Sequence, residues 1–337
     1  MKVVVLLGGE SKERDVSLAS GAQVAEGLRA MGHDVVSMDP ACGLLEVSQE
    51  KSHLRDSIPR IPASEVEDFS SFQGLLQNLE ELNKADIVFP VLHGGMGENG
   101  TIQAVLDLLE VPYVGSDMLG CALAMNKDLT KRLLRAADIS TPDWILASTV
   151  EEVIETLDFP MICKPVDGGS SVGLTLVTNK ESLDHCFSSA KVGDPPLMYE
   201  NFISGRELTV GVVGKGTLPI GEIISKHELF DFECKYRPEM ADEIFPAAIE
   251  EQTASAVSKI ALEVHDLLGL RDLSRIDFIL DGQGIPWCLE ANTLPGMTTN
   301  SLLPKAAEAA GFSFQVFCEK LLKLAEKRVL RNMDSID

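Results

Sequence analysis

Two hydrophobic periods alternate along this chain, and the switches between them predict its elements. Val3 to Leu7 form an unbroken apolar run, the pattern of a strand buried on both faces. The polar stretch GGESKERDVS follows, and apolar residues at helical spacing then predict a helix from about Asp15 to Met31, stopped by Gly32. HDVVSMD predicts a second strand, ADIVFPVLHG a strand ending in a loop, TIQAVLDLLE a helix and VPYVG a short strand. Such alternation implies a small α/β unit with a parallel sheet over residues 1–115. Residues 42–80 are the least legible: mixed polar segments with Pro59 and Pro62, then a helical SSFQGLLQNLEEL.

Further along, CALAMNKDLTKRLLRAAD predicts one long helix, closed by ISTPDW. FPMICKPVDGGSSVGLTLV reads as two strand-like runs around a Gly-Ser turn, and a helix is expected from Lys180 to Ala190. These make a second unit over 116–199. Strands then dominate a third unit, 200–337, at 207–213, 218–225, 275–280 and 285–292, with helices at 250–268 and 314–330. In the last helix Phe314, Phe317, Leu321 and Ala325 fall at helical spacing, and Ser313 stands where an N-cap belongs.

Composition narrows the class. The 337 residues are enough for two or three compact units, and 45% apolar with 24% charged residues is ordinary for a globular protein. A net charge of −23 argues against sequence-independent nucleic-acid binding. No apolar run approaches the length of a membrane span, and the short N-terminal block reads as a strand rather than a secretory leader. Seven scattered cysteines never form CxxC, which disfavours structural zinc and a disulfide framework and points to a reducing cytoplasm.

The strongest chemistry is in SRIDFILDGQGIPWCLEAN. With DGQG as a hairpin loop, Leu280 is expected opposite Ile285, Asp277 opposite Cys288 and Arg275 opposite Glu290. Strand alternation then puts Arg275, Asp277, Glu290 and Asn292 on one face, with Ile276, Phe278, Leu280, Trp287 and Leu289 toward a core. All-oxygen donors suit a hard cation such as Mg2+ that shares ligands with phosphates; the plainer alternative is a solvated polar face with a cross-strand ion pair. TLPGMTTNSL follows, where Gly296 permits close backbone approach and a helix N-terminus can take a small carboxylate.

Three weaker signals accompany it. KPVDGGSSVG, Lys164 to Gly173, resembles a flap over phosphates although it is no Walker loop; a plain Gly-Ser turn is the alternative. ENFISGREL offers free backbone to an adenine edge and acids to ribose hydroxyls, against the plainer reading of an edge-strand end. LLGGESKERDVS and LHGGMGENG both leave strands toward helices, where ligands sit in open α/β sheets; Glu13 there suits an ammonium group, while for a lone His93 a loop histidine bonded to backbone is the preferred reading over one that orients a ligand.

LLGGESKERDVSLASG, HGGMGENGTIQ, PYVGS, AMNKDLTK, KPVDGGSSVG, ECKY, RIDF, EANTLPGMT and SLLPKAA, in this order, resemble the D-alanine:D-alanine ligases of the ATP-grasp superfamily. The resemblance implies a three-domain α/β and α+β architecture with a Rossmann-like N-terminal domain. It also implies ATP-dependent joining of two D-alanines through an acyl phosphate, for cell-wall precursor synthesis. By it, Glu13 holds the first ammonium, with His93 nearby and Ser170 and Tyr236 in its network. Lys127, Lys164 and Lys235 contact ATP phosphates, while Glu200, Phe202, Ile203 and Glu207 clasp adenosine. Asp277, Glu290 and Asn292 bind two Mg2+, with Mn2+ as the substitute. Arg275 and the Gly296 N–H form an oxyanion hole, and Ser301 and Leu302 take the second carboxylate. A cytoplasmic homodimer is expected on the same ground. Asn99, Asn126 and Ser274 depart from the family's usual residues, beside the assigned groups. The ECKY pair favours a dipeptide product over an ester with D-lactate. The other readings are a ligase for D-lactate or D-serine, an oxidoreductase (disfavoured without GxGxxG) and a non-catalytic ATP-binding protein.

Overall fold

The computed structural model describes residues 1–54, 73–169, 173–189, 195–225 and 241–334. The first sheet is built from β1 (Lys2–Leu6), α1 (Arg14–Ala30), β2 (Asp34–Asp39), β3 (Gly43–Leu45), α2 (Val47–Ser52), α3 (Gln73–Gln77), α4 (Leu79–Asn83) and β4 (Ile87–Pro90). Its strand order is β3-β2-β1-β4, with β2 and β4 parallel to β1 and only β3 antiparallel. The apolar run at the start is explained by burial on both sides. Val3, Val5 and Leu7 join one core with Leu18, Val24 and Leu28 of α1, while Val4 and Leu6 join another with Leu75, Leu82 and Ile102. Gly21 allows α1 to press on the strand, since a Cβ there would stand 2.3 Å from the Leu7 Cβ.

After β4 come α5 (Gly95–Glu98), α6 (Thr101–Leu108), α7 (Met118–Met125) and α8 (Lys127–Ala136). The expected VPYVG strand is reduced to one parallel bridge between Val88 and Tyr113. The single long helix is in fact two. Asn126 adopts an extended conformation and its side chain accepts from the Leu129 N–H at 3.0 Å, ending α7 and capping α8 in one residue.

β5 (Trp144–Leu146), α9 (Val150–Thr156), β6 (Met161–Pro165), β7 (Thr175–Val177), α10 (Lys180–Ser189) and β8 (Leu197–Asn201) make a second, antiparallel sheet, ordered β5-β8-β6-β7. β5 and α9 were not foreseen; α9 opens with a capping box in which Thr149 and Glu152 satisfy each other's backbone. α9 and α10 cover one face through Val153, Leu157, Leu183 and Cys186.

The third sheet is β12-β11-β9-β13-β14, from β9 (Gly205–Val213), β10 (Gly216–Thr217), β11 (Gly221–Ser225), β12 (Ala241–Ile244), β13 (Leu273–Asp281) and β14 (Pro286–Asn292), all antiparallel, with β10 beside β9. The strand expected over 218–225 begins only at Gly221. α11 (Glu251–Leu267) packs on this sheet with α8; α12 (Leu302–Ala309) follows, and α13 (Phe314–Asp334) returns to the first sheet. Phe317, Leu321 and Ala325 are fully buried there beside α1, and Ser313 Oγ accepts the Val316 N–H at 3.4 Å as an N-cap.

The β13–β14 hairpin has a different register from the one expected. Asp281 Oδ1 takes the N–H groups of Gln283 and Ile285, so the loop runs to Ile285 and Leu280 faces Pro286. A bulge between Asp277 and Phe278 shifts the ladder again. Asp277 therefore faces Glu290, not Cys288, and Arg275 faces Asn292, not Glu290. The bulge absorbs Leu289, so Cys288 and Ala291 enter the core while Leu289 turns to the cavity described below. Trp287 is only half-buried and donates its indole N–H to Asp281. The shared face of the four polar residues survives because two shifts of one residue restore the alternation at Glu290 and Asn292.

Candidate active site

Between the second and third sheets lies a cavity of about 580 Å³. It is lined by Lys127 at the start of α8, Lys164 on β6, Glu200, Phe202 and Ile203 at the end of β8, Glu207 on β9, and Asp277 and Glu290. Eight residues singled out in the sequence thus converge from six segments. Lys235, Ser170 and Tyr236 lie outside the described residues.

Glu200 is anchored more firmly than expected. Its Oε1 pairs with Lys164 at 2.5 Å and its Oε2 with Lys131 at 2.8 Å, all three side chains being buried. Burial pushes the Glu200 carboxyl up, but the two ammonium groups outweigh it and hold it below the ordinary carboxylate range. Burial lowers Lys131 from the usual lysine value, with Glu200 opposing. Glu200 is therefore tied to two lysines. Lys127 reaches back to the Gly168 carbonyl at 2.5 Å, tethering the start of the glycine-rich stretch. At the rim Arg206 grips Glu222 with two hydrogen bonds of 2.6 Å.

Deeper in, Asp277 Oδ1 accepts from Thr209 at 2.7 Å, and Arg275 forks onto Asp277 at 2.8 and 3.0 Å. Asn292 Nδ2 lies 3.0 Å from Asp277 Oδ2. The i,i+2 spacing on one strand face brings Arg275 onto Asp277. Among the described residues no group of three or more His, Cys, Asp or Glu side chains gathers as a cation site. Asp277 and Glu290 place carboxylates on the cavity wall, and Asn292 lies beside Asp277 where the smaller pocket adjoins it, a donor set of the type that leaves room for phosphate ligands.

Beyond this wall lies a second set of groups. Glu98, Lys127, Gly168, Gly169, Glu290 and Asn292 line a small pocket adjoining the main one. Glu98 and Glu13 are both buried, and a Cβ at Gly169 would stand 3.1 Å from Glu13 Oε2 and 3.6 Å from Glu98 Oε2. Glu98 Oε2 accepts the Gly94 N–H at 2.6 Å. Burial, then the Glu13 charge, pushes the Glu98 carboxyl up to about 8, against the Gly94 N–H and Arg275. His93 is buried too; burial lowers its pKa, its ring bonds to the Leu294 carbonyl, and its Nε2 has no hydrogen-bond partner. Two acids and a neutral imidazole make an acidic recess fit for an ammonium group.

The loop after β14 closes the far side. Met297 N–H reaches Ser20 Oγ at 3.3 Å and Thr299 N–H reaches Gln23 Oε1 at 2.8 Å, both on α1. Ser301 Oγ bonds to Thr298 Oγ1 at 2.8 Å and to the Thr298 N–H, and a Cβ on Gly296 would stand 2.8 Å from it. Leu302 buries its side chain beside Ile223 and Ala241, so only its backbone N–H, in the first turn of α12, is available to an anion.

Two site residues escaped the sequence reading. Lys131 lies one helical turn after Lys127, an i,i+4 repeat that marks one helix face. Glu98 stands in a glycine-rich loop, where its burial has no signature in the sequence.

The comparisons agree with this geometry. The family model described as "D-ala D-ala ligase N-terminus" matches residues 2–116, and "D-ala D-ala ligase C-terminus" matches 133–323. A D-alanine–D-alanine ligase of Aquifex aeolicus is 37% identical, covering 94% of this chain and 97% of that protein. One from Halalkalibacterium halodurans is 36% identical, covering 97% of this chain and 100% of its own. Among solved structures, the Bacillus anthracis D-alanine–D-alanine ligase complexed with ATP superposes with a TM-score of 0.78 at 27% identity, over 98% of this chain and 99% of that one. The VanG D-Ala:D-Ser ligase of Enterococcus faecalis gives 0.77 at 28% identity, over 96% and 99%. With the lysine-lined cavity, the acidic recess and the oxygen-donor wall all in register with matches to both halves, this chain belongs to the D-alanine–D-alanine ligase family.

Proposed function

We propose that the chain joins two molecules of D-alanine into D-alanyl-D-alanine, converting ATP to ADP and phosphate, and that it does so in the cytoplasm as a step toward peptidoglycan. The observation that carries this reading is the adjacency of the cavity holding Lys127, Lys164, Asp277 and Glu290 to the small pocket lined by Glu98 and Gly169, with Glu13 against Gly169. The cavity suits a nucleotide: Phe202 and Ile203 offer an apolar bed for the base, Glu207 a partner for ribose, and Lys127 and Lys164 charge for the phosphates.

The first D-alanine places its ammonium toward Glu13, which brings its carboxylate toward the phosphate end. That carboxylate attacks the terminal phosphorus, ADP leaves, and an acyl phosphate remains. The amine of the second D-alanine then attacks the acyl carbon. Arg275 and the Gly296 N–H stabilise the oxyanion that develops, and phosphate departs. The Ser301 hydroxyl and the Leu302 N–H hold the second carboxylate. Asp277, Glu290 and Asn292 would hold Mg2+, or Mn2+, which supplies positive charge against the repulsion between carboxylate and phosphates. Ser170, Lys235 and Tyr236 complete the set by resemblance, and a homodimer is proposed on the same basis.

The test is phosphate release from ATP with D-alanine, set against L-alanine, glycine, D-lactate and D-serine, with the product weighed by mass spectrometry. D-alanine-dependent release with a dipeptide product is expected. Release that ignores D-alanine overturns the reading, and a mixed D-alanine–D-serine product would move it toward the VanG-like alternative.

A further inference from the structure

Glu13 is flanked in sequence by two cations, Lys12 and Arg14, yet the task proposed for it is to attract a third, the ammonium of the first D-alanine. Lys12 is exposed, where water and salt screen it. Arg14 is partly buried and tied down. Its Nη1 donates to the Gly9 carbonyl at 2.7 Å, its Nη2 pairs with Asp39, and the same nitrogen lies 3.6 Å from Cys42 Sγ. Burial works against the Arg14 charge, and Asp39 outweighs it, raising the guanidinium above its ordinary value. Asp39 closes β2, is fully buried, and lines neither the cavity nor the small pocket beside it. Its Oδ1 accepts the N–H groups of Gly9 at 3.0 Å and Ala41 at 2.9 Å, while its Oδ2 takes Arg14. Gly8 leaves room for the pair, since a Cβ there would stand 2.6 Å from Asp39 Oδ2 and 3.0 Å from Arg14 Nη1. Glu13 Oε2 lies against other glycines, 2.8 Å from a Cβ built on Gly94 and 3.1 Å from one on Gly169. A buried carboxylate is costly to desolvate, which directs attention to what it restrains.

We infer that Asp39 is a positioning residue that sequesters Arg14, so that the Glu13 recess keeps its negative charge for the ammonium of the first D-alanine. This rests on reading Glu13 as the ammonium site. Arg14 occupies the next position in the chain, and its side chain is long enough for a released guanidinium to reach the neighbouring carboxylate. Such an arm is an internal competitor, a cation already tethered where the substrate's cation has to bind. In a recess of low dielectric even a partial approach weakens the site, because the attraction it cancels is the one the ammonium relies on. Two backbone N–H groups fix the Asp39 carboxylate, so the charge that holds Arg14 does not follow it toward Glu13.

Initial rates of ADP formation over a range of D-alanine and ATP, fitted to two D-alanine constants and one ATP constant, test this. Asp39→Asn keeps an oxygen for the Gly9 and Ala41 N–H groups and releases Arg14. It should raise one D-alanine constant at least about tenfold, with the ATP constant and the limiting rate within about twofold of wild type. Asp39→Ser, which also releases Arg14 and keeps one acceptor, serves if the amide variant does not fold. Arg14→Gln/Asp39→Asn removes both charges and should recover most of the lost D-alanine affinity, because no stray cation remains; a pair that only braces the loop would leave it as weak as the single variant. A double variant no better than the single one, an ATP constant that rises in step with the D-alanine constant, or wild-type D-alanine constants in the single variant would each overturn the assignment. Unchanged D-alanine constants in Glu13→Gln would refute the ammonium site itself, and the role of Asp39 with it.

Discussion

Replacing Glu98 by glutamine should stabilise the nucleotide-free protein at neutral and alkaline pH. Glu98 is buried against Glu13, with Glu290 adding repulsion and only Arg275 and the Gly94 N–H in its favour. Lys127 lines the same small pocket but is tied to Gly168. The carboxyl is pushed from 4.5 to about 8. Between those values the folded protein holds a proton that the unfolded chain has released, so stability falls as pH rises through the window and levels off above it. At about 1.4 kcal/mol per unit, the full gap corresponds to a ceiling of about 5 kcal/mol, and local relaxation should leave about half. Glutamine keeps an acceptor for the Gly94 N–H and cannot ionise. Urea unfolding at pH 5, 6, 7 and 8, in chelator and without nucleotide, should show the two proteins nearly equal at pH 5 and diverging by about 2–3 kcal/mol at pH 8. Parallel stability–pH curves across that range would refute the placement of Glu98 as a carboxyl held protonated by burial and by Glu13.

Three further outcomes are expected. Glu290→Gln should lose most D-alanine-dependent ADP formation, at least about tenfold, with a melting temperature close to wild type; near-normal turnover would remove Glu290 from the oxygen-donor wall. Gly21→Ala should cost about 1–3 kcal/mol in chemical denaturation, because the new methyl has to displace the Leu7 side chain just after β1. Asn126→Ala should cost about 1 kcal/mol by losing the cap on α8, read as a shift in the urea midpoint; no shift would mean the cap is not what splits the helix pair.

Much of the architecture was legible because burial leaves a periodic trace. The unbroken run at Val3 could only be a strand covered on both sides, and the spacing of Phe317, Leu321 and Ala325 gave the face of α13. What failed were features decided by single residues. Asn126 ends one helix and starts another without breaking the apolar pattern, and a capping box at Thr149 opens a helix in a stretch to which the sequence reading assigned no element. The hairpin register went wrong because the Asp281 side chain lengthens the loop and a bulge leaves no signature in alternation. Residues singled out at strand ends gather at one cavity, since topology brings those positions together. Glu98 and Lys131 were missed because their importance lies in burial against partners remote in the chain, 69 positions away for Lys131 and Glu200.

The stitching of the loop after β14 to Ser20 and Gln23 on α1 spans 276 to 277 positions of sequence. A chain emerging from the ribosome meets this requirement only once Thr299 has left the exit tunnel. Until then α1 lacks the loop that pins it to the hairpin carrying Asp277 and Glu290. Truncation short of that loop should therefore leave the two regions unjoined and abolish peptide-bond formation.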